Sequence, residues 1–339
     1  MRFLGGIMNK IILSLLDKSD ALVSENKLNC FKKYSMSAGY TDLFSITGGK
    51  SNLENMNRIP DEFGLKNRTA PYVFNTLLKD GSIFSIDEAG KKSSVCEDDC
   101  TFGIRPTLIV NYNDFEDLSK NGKVNECGVV EIEFGEYPQY AASHMVGLAL
   151  EDEYSNNLND GEYYGTVLMR TGKEYSFVQN GKINTYSEFY YGSSKYIRMI
   201  VSCDENGVIL SNGNTYHNGE VVWVKVSPVK WFIDFKSKRL LSKFVLLSGL
   251  KANMDIFDYF ENYMINDMFV DSLTRDEMLR MICLSYYGLD YMSQLDIING
   301  ISDDIYKLNN LSTSQLKELL DRISMREYGY SRKLKQYYF

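Results

Sequence analysis

Six cysteines, two histidines and one dense acidic run are the residues of this chain best suited to chemistry. The only close cysteine pair is in Cys96-Glu97-Asp98-Asp99-Cys100. Two thiols at this spacing, with carboxylates between them, can begin a metal site. A closed tetrahedral site needs two further ligands. Cys30, Cys127, Cys203 and Cys283 are scattered, and only His144 and His217 remain to help, so no second ligand pair is evident. The expectation is an exposed loop carrying reduced thiols, with no metal and no cofactor. A disulfide framework is not expected in a chain this long, since it is a device of small secreted domains.

Nucleophilic catalysis needs a base beside a nucleophile. His144 falls in a helical pattern and His217 in an Asn-rich turn, and neither lies near a nucleophile-elbow motif. There is no P-loop and no GxGxxG after a strand. Carboxylates are plentiful, which leaves glycoside hydrolysis formally open, but one sequence cannot pair them in space. No catalytic residues are assigned, and an enzyme is not expected.

Binding chemistry has two candidate segments. Glu151, Asp152 and Glu153 head a run to Glu162 that holds five acids and no base. Such a run can mimic nucleic acid or seat a cation, although a solvated loop is the plainer account. The tail from Arg326 to Phe339 places Arg326, Arg332, Lys333 and Lys335 among aromatics. That pattern can hold phosphates and stack bases, although aromatics docked within the chain are the plainer account. A net charge of -8 argues against a broad basic face. A protein partner is therefore expected. Nucleic acid enters only through the basic tail or indirectly through a partner. No membrane is expected, because no stretch approaches the length of a spanning helix. The apolar run at 11–16 is too short for a signal peptide and meets Asp17, Lys18 and Asp20 at once, so a cytoplasmic location is expected.

Four regions must position these residues. Residues 1–29 contain apolar positions at helical spacing over 7–24, which reads as an amphipathic helix. Residues 30–128 read as a loop-rich α+β part. A hairpin is expected there, with strands at 72–78 and 82–87 about Asp80-Gly81, and then a strand at 107–110. Residues 129–252 read as an antiparallel β meander. It opens on VVEIEF at 129–134, ending in GEYPQ at 135–139, and a helix follows at 141–155 with Ser143 as its N-cap. The densest strand signal lies at 195–250, where VVWVKV at 221–226 and KWFID at 230–234 flank Pro228. Pro228 reads as a break or an edge. Trp223 and Trp231, the only tryptophans, read as core. Residues 253–339 switch to helical periodicity. The 25 tyrosines and 18 phenylalanines fit a β-rich fold and a recognition surface alike.

Several of these pieces resemble a domain-of-unknown-function family common in gut Firmicutes and their mobile elements. They are GIRP at 103–106, GEYPQ at 135–139, the run from SKYIRMIV at 194–201 to VSPVKWFID at 226–234, LLSKFVLLSG at 240–249 and DIFDYFENYMINDMF at 255–269. The resemblance covers about 38–270. In most members the GEYPQ part comes first and the Arg-Pro strand last, whereas GIRP comes first here. That family is similar to the formylglycine-generating-enzyme and C-type-lectin type of fold. The resemblance implies an α+β protein with an antiparallel, β-rich, C-type-lectin-like core and a helical C-terminal region. It also implies that 195–250 is half of a sheet whose complement lies upstream, near 103–110. The formylglycine-generating enzymes need a reactive cysteine pair for copper. Cys96 and Cys100 are the only candidates and lack the surrounding aromatic and glycine motif. The expected function is a non-catalytic interaction protein that recognises another protein. One alternative is a phage or mobile-element inhibitor or accessory of host nucleic-acid machinery of the defence or CRISPR type. The other is an enzyme related to formylglycine-generating or glycoside-acting proteins.

Overall fold

The computed structural model describes residues 12–22, 38–51, 69–109, 115, 118–120, 122–124, 129–158, 168–251 and 256–269. Contacts divide the chain into one unit of Ile12–Met268 and another of Met1–Ile11 with Phe269–Phe339. The described elements belong to the first unit, whose boundary falls in the last of them. In order they are β1 (Ile12–Ser14), α1 (Lys18–Leu22), α2 (Asp42–Ile46), β2 (Tyr72–Leu77), β3 (Ile83–Ile86), β4 (Lys92–Val95), β5 (Thr107–Ile109), β6 (Lys123–Val124) and β7 (Val130–Ala141). There follow α3 (His144–Leu158), β8 (Leu168–Gln179), β9 (Lys182–Tyr191), β10 (Ser194–Ile200), β11 (Val208–Ile209), β12 (Thr215–Tyr216), β13 (Val221–Asp234) and β14 (Arg239–Ser242). The last described helix has a π-turn at Phe260–Met264 between α4 (Ile256–Tyr259) and α5 (Ile265–Phe269).

The fold is α+β and β-rich. The paired strands named here all run antiparallel. The main sheet follows the order β1-β5-β14-β13-β10-β9-β8, with β7 on the other edge of β13 and β6 beyond it. β13 is the axis. Its first half pairs with β10 from Ile200↔Val221 to Lys195↔Val226, and its second half pairs with β14 from Trp231↔Ser242 to Asp234↔Arg239. β7 runs along the opposite edge from Val224↔Ala141 to Phe232↔Glu131. Two strands therefore share one edge and hand over between them at 227–230.

Pro228 lies in that handover. Neither β10 nor β14 pairs with it, so the expected break is there on that side, although β13 itself continues through it against β7. β13 tolerates it because the register against β7 shifts on both sides, at Lys225/Val226 and at Pro228/Lys230. A bulge spares the ladder from needing the missing N–H. Gly135 supplies the second irregularity with φ 71°, a left-handed conformation that glycine adopts cheaply. Buried Gln139 serves the displaced carbonyls, its amide donating to Ser227 O at 2.7 Å and Pro228 O at 3.0 Å. GEYPQ thus does not terminate β7. It lets β7 continue past the proline to Ala141.

The upstream complement of 195–250 is as expected. β5 pairs with β14 through Leu108↔Leu240, and Ile104 bridges Leu247. Arg105 of GIRP is buried across that seam. Its Nε donates to Ser242 O at 2.9 Å, and its guanidinium lies over the Tyr72 ring and donates to Tyr72 Oη at 3.2 Å. The expected hairpin is β2–β3, extended by β4. The N-terminal reading is corrected. Residues 12–14 form a strand against β5, not a helix, and among the described residues of 7–24 only Lys18–Leu22 is helical. Asp17 breaks the pattern, since its N–H is accepted by Asp20 Oδ2 at 2.8 Å, the arrangement of a helix start. A short apolar run such as 11–16 cannot by periodicity alone separate strand from helix.

Trp231 is fully buried and donates to Phe134 O at 2.8 Å. Trp223 is also buried, in a separate cluster with Leu150, Leu168, Phe189 and Tyr196 beneath α3. Much of the tyrosine load is structural as well. Tyr40, Tyr72, Tyr137 and Tyr175 are fully buried, and Tyr137 packs edge-on against Tyr175 and Phe177 at 6.0 and 5.8 Å. Tyr259 Oη donates to Ser176 O at 2.7 Å. Burial pushes the phenols of Tyr137, Tyr175 and Tyr259 well above their ordinary 10.0, with the Asp267 carboxylate adding to the shift at all three.

Two outcomes are expected. Trp231→Ala should destabilise the fold by ~3–5 kcal/mol, as for other buried aromatics, read as a lower denaturant midpoint; a midpoint like that of the parent would remove Trp231 from the core. The buried phenols stay protonated in the folded state while their unfolded counterparts ionise near 10.0. Their contribution is present below that value and is lost as pH rises past it. The urea midpoint should therefore fall steeply above about pH 10, with the phenolate absorbance rising together with unfolding rather than before it.

Candidate functional site

α3 and the sheet beneath it enclose an open trough of about 530 Å³. Its floor is a cross-strand row. Tyr196 of β10 and Tyr140 of β7 are both register partners of Lys225 of β13. Directly opposed residues share a sheet face, so the lysine lies between two tyrosines and all three line the trough. Glu133 and Lys230 are likewise register partners, forming a pair at 3.9 Å on the same lining. Ser143 and Val146 at the start of α3 form one wall, and Ser211 and Asn212 form another.

Three polar assemblies fix these walls. Asp42 of α2 is completely buried. Its Oδ2 accepts from Ala141 N at 2.8 Å and from the Ser211 hydroxyl, and its Oδ1 accepts from Ser211 N at 2.8 Å. One carboxylate thereby ties the end of β7 to the 210–214 loop. Asn212 then donates to Ala142 O at 2.8 Å, and Asn214 Nδ2 meets His144 Nδ1 at 3.1 Å, so the loop grips the start of α3. Third, Glu151 anchors the middle of the helix. It receives Arg198 Nε at 3.0 Å, Arg198 Nη2 at 2.7 Å and Trp223 Nε1 at 2.8 Å. The hydrogen bond from Arg198 holds the Glu151 carboxyl below its ordinary 4.5, with Trp223 adding to it.

Glu151, expected as a binding acid, also ties α3 to β10 and β13 through Arg198 and Trp223. Asp152 is exposed and Glu153 half-buried on the same helix. The acidic run is not simply a loop, since α3 extends through Leu158. Arg326, Arg332, Lys333 and Lys335 lie outside the described residues. The outer face of α3 exposes Met145 (74%) and Leu148 (51%) next to Asp152.

Cys96 is exposed, Cys100 partly so, both are free thiols, and a turn joins them. Among the described residues no group of three or more His, Cys, Asp or Glu could hold a metal ion. Cys203 lines a smaller cavity of 230 Å³ with Gly48, Gly49 and Lys50. Burial, with Asp204 and Glu220 nearby, pushes its thiol up, so it remains protonated rather than nucleophilic. The glycine pair offers no phosphate cradle there. The amides of Gly48, Gly49 and Lys50 are spent on the carbonyls of Ser45, Phe44 and Thr101.

Sequence reasoning missed Tyr140, Tyr196 and Lys225. The alternation in VVWVKV places Lys225 on the Trp223 face, which was a usable signal. The partnership with Tyr140 was hidden, because the register shift at Lys225/Val226 cannot be read from either strand alone.

The Glu151 anchor has a pH signature. Its carboxyl is lowered in the folded state, so the stability it lends is present above 4.5 and fades as pH falls through and below that value. Glu151→Gln should therefore narrow the difference in melting temperature between neutral pH and about pH 4 relative to the parent chain. An unchanged difference would show that the Arg198 pairing is energetically silent.

Comparison of the chain with family models, curated proteins and solved structures gave no match, and the chemistry of the trough therefore rests on this chain's own residues.

Proposed function

We propose that this chain is a non-catalytic interaction protein that recognises another protein, working from a rigid, C-type-lectin-like β core in the cytoplasm. The observation that carries the reading is the trough beside α3. Strand residues Tyr140, Tyr196 and Lys225 form its floor, and the exposed apolar pair Met145 and Leu148 lies on the adjoining helix. Aromatic side chains held on strands supply contact area at low entropic cost, and exposed apolar side chains near a polar concavity are the composition of a protein interface. Asp42 and the Glu151–Arg198 pair pre-organise the walls, which lowers the cost of binding. The free thiols of Cys96 and Cys100 suit a reducing compartment. Among the described residues no helix is long and apolar enough to cross a membrane.

A photo-crosslinking side chain installed at position 148 of the full chain should, in host lysate, join it to one protein of discrete mass. Met145→Glu together with Leu148→Glu should cut recovery of that protein by roughly tenfold, the scale of losing a well-packed apolar contact, with the melting temperature unchanged. A chain that captures no protein but binds an arrayed glycan would overturn the reading.

A further inference from the structure

Most cations of the main sheet are paired, and among the described residues the exceptions are Lys123 on the outlying β6, Lys182 at the β8–β9 turn and, within the sheet, Lys225. Lys195 pairs with Glu136, Arg198 with Glu151, Lys230 with Glu133, Arg239 with Asp20 and Lys243 with Glu131. The Lys225 side chain has no hydrogen bond or ion pair with any described residue. Its two register partners are tyrosines, and the acid on the trough lining, Glu133, is engaged by Lys230. An unpaired exposed lysine is ordinary on an edge strand, where it blocks aggregation. β13 is not an edge: β10 pairs with it through Tyr196↔Lys225 and β7 through Lys225↔Tyr140. The uncompensated charge therefore sits mid-sheet, in a concavity.

Building on the recognition reading, we infer that the trough receives an acidic peptide segment of the partner protein, one carboxylate of which pairs with Lys225 between the rings of Tyr140 and Tyr196. The charge balance selects a carboxylate. One unneutralised ammonium matches one negative charge, whereas a doubly charged phosphate is generally met by an arginine fork or several cations. The volume, 530 Å³, exceeds one side chain and admits a short stretch of chain. The start of α3 reinforces the sign. Its first turn carries no acidic residue, and the N–H groups there contribute a positive end to the adjoining wall.

The probe is a fluorescein-labelled octaglutamate peptide titrated into the full chain, with octaglutamine and a phosphoserine-containing octaglutamine as comparisons. Octaglutamate should bind, octaglutamine should not, and raising the salt should weaken binding. Lys225→Gln should weaken octaglutamate binding by roughly tenfold, about one charge-assisted hydrogen bond, while Lys225→Arg should hold it within about threefold. Both variants change an exposed side chain and should melt with the parent. No octaglutamate binding, equal binding by Lys225→Gln, or clear preference for the phosphoserine peptide would overturn the assignment. Crosslinking from position 148 separates the two ideas. If Lys225→Gln still captures the same protein undiminished, the carboxylate receptor falls and recognition through α3 stands. If the parent binds octaglutamate but crosslinks to no protein, the receptor stands and the recognition reading falls.

Discussion

A single strand that must serve one long partner on one edge and two successive partners on the other constrains everything else in this unit. β13 spans fourteen residues, from Val221 to Asp234, with β7 on one edge and β10 then β14 on the other. A proline in such a strand would ordinarily leave a ladder broken in the middle of a sheet. Here the break is turned into a handover. The two bulges take up the missing donor, Gly135 accommodates the backbone, and Gln139 satisfies the displaced carbonyls. Bulges bend a strand and increase its twist. The trough overlies the same stretch, with Lys225, Ser227, Pro228 and Lys230 all on its lining. The concavity is thus a consequence of how the central strand survives its proline.

The rims of that concavity depend on two carboxylates, Asp42 fully buried and Glu151 partly exposed. Asp42 and Glu151 each collect three donors from segments far apart in sequence. Such groups are weak sources of net stability, because desolvation offsets much of what pairing returns. Their value is in specifying geometry. Asp42 cannot satisfy Ala141 and Ser211 together unless β7 and the 210–214 loop lie as they do. Glu151 cannot meet Arg198 and Trp223 together unless α3 sits at one angle on β10 and β13. Rigid walls about a site reduce the ordering that a ligand must induce.

This division explains what the sequence reveals and what it hides. Strand alternation and turn chemistry are local. The β2–β3 hairpin at Asp80-Gly81 and the burial of both tryptophans could therefore be read directly. The pairing of 195–250 with a strand near 107 followed from resemblance to a motif order. Three features resisted because they depend on distant partners. Ile12–Ser14 is a strand only because β5 offers it an edge. Pro228 is internal only because β7 bulges opposite it. Glu151 looks like a solvated acid until the fold brings Arg198 and Trp223 to it. The floor of the trough was half legible: periodicity of two places Lys225 on one face, but its tyrosine neighbours depend on register.

The overall charge of -8 sharpens the meaning of the trough. An acidic chain repels an acidic ligand at long range, so association gains little from steering. That repulsion is screened beyond about 8 Å at physiological salt. Inside that distance the local balance decides, and among the described residues the unneutralised groups of the trough are Lys225 and the N–H groups at the start of α3. Selectivity then arises at contact. A ligand must present its carboxylate between Tyr140 and Tyr196 to gain anything from the lysine. A cationic floor at the bottom of a concavity is thereby reserved for partners shaped to reach it.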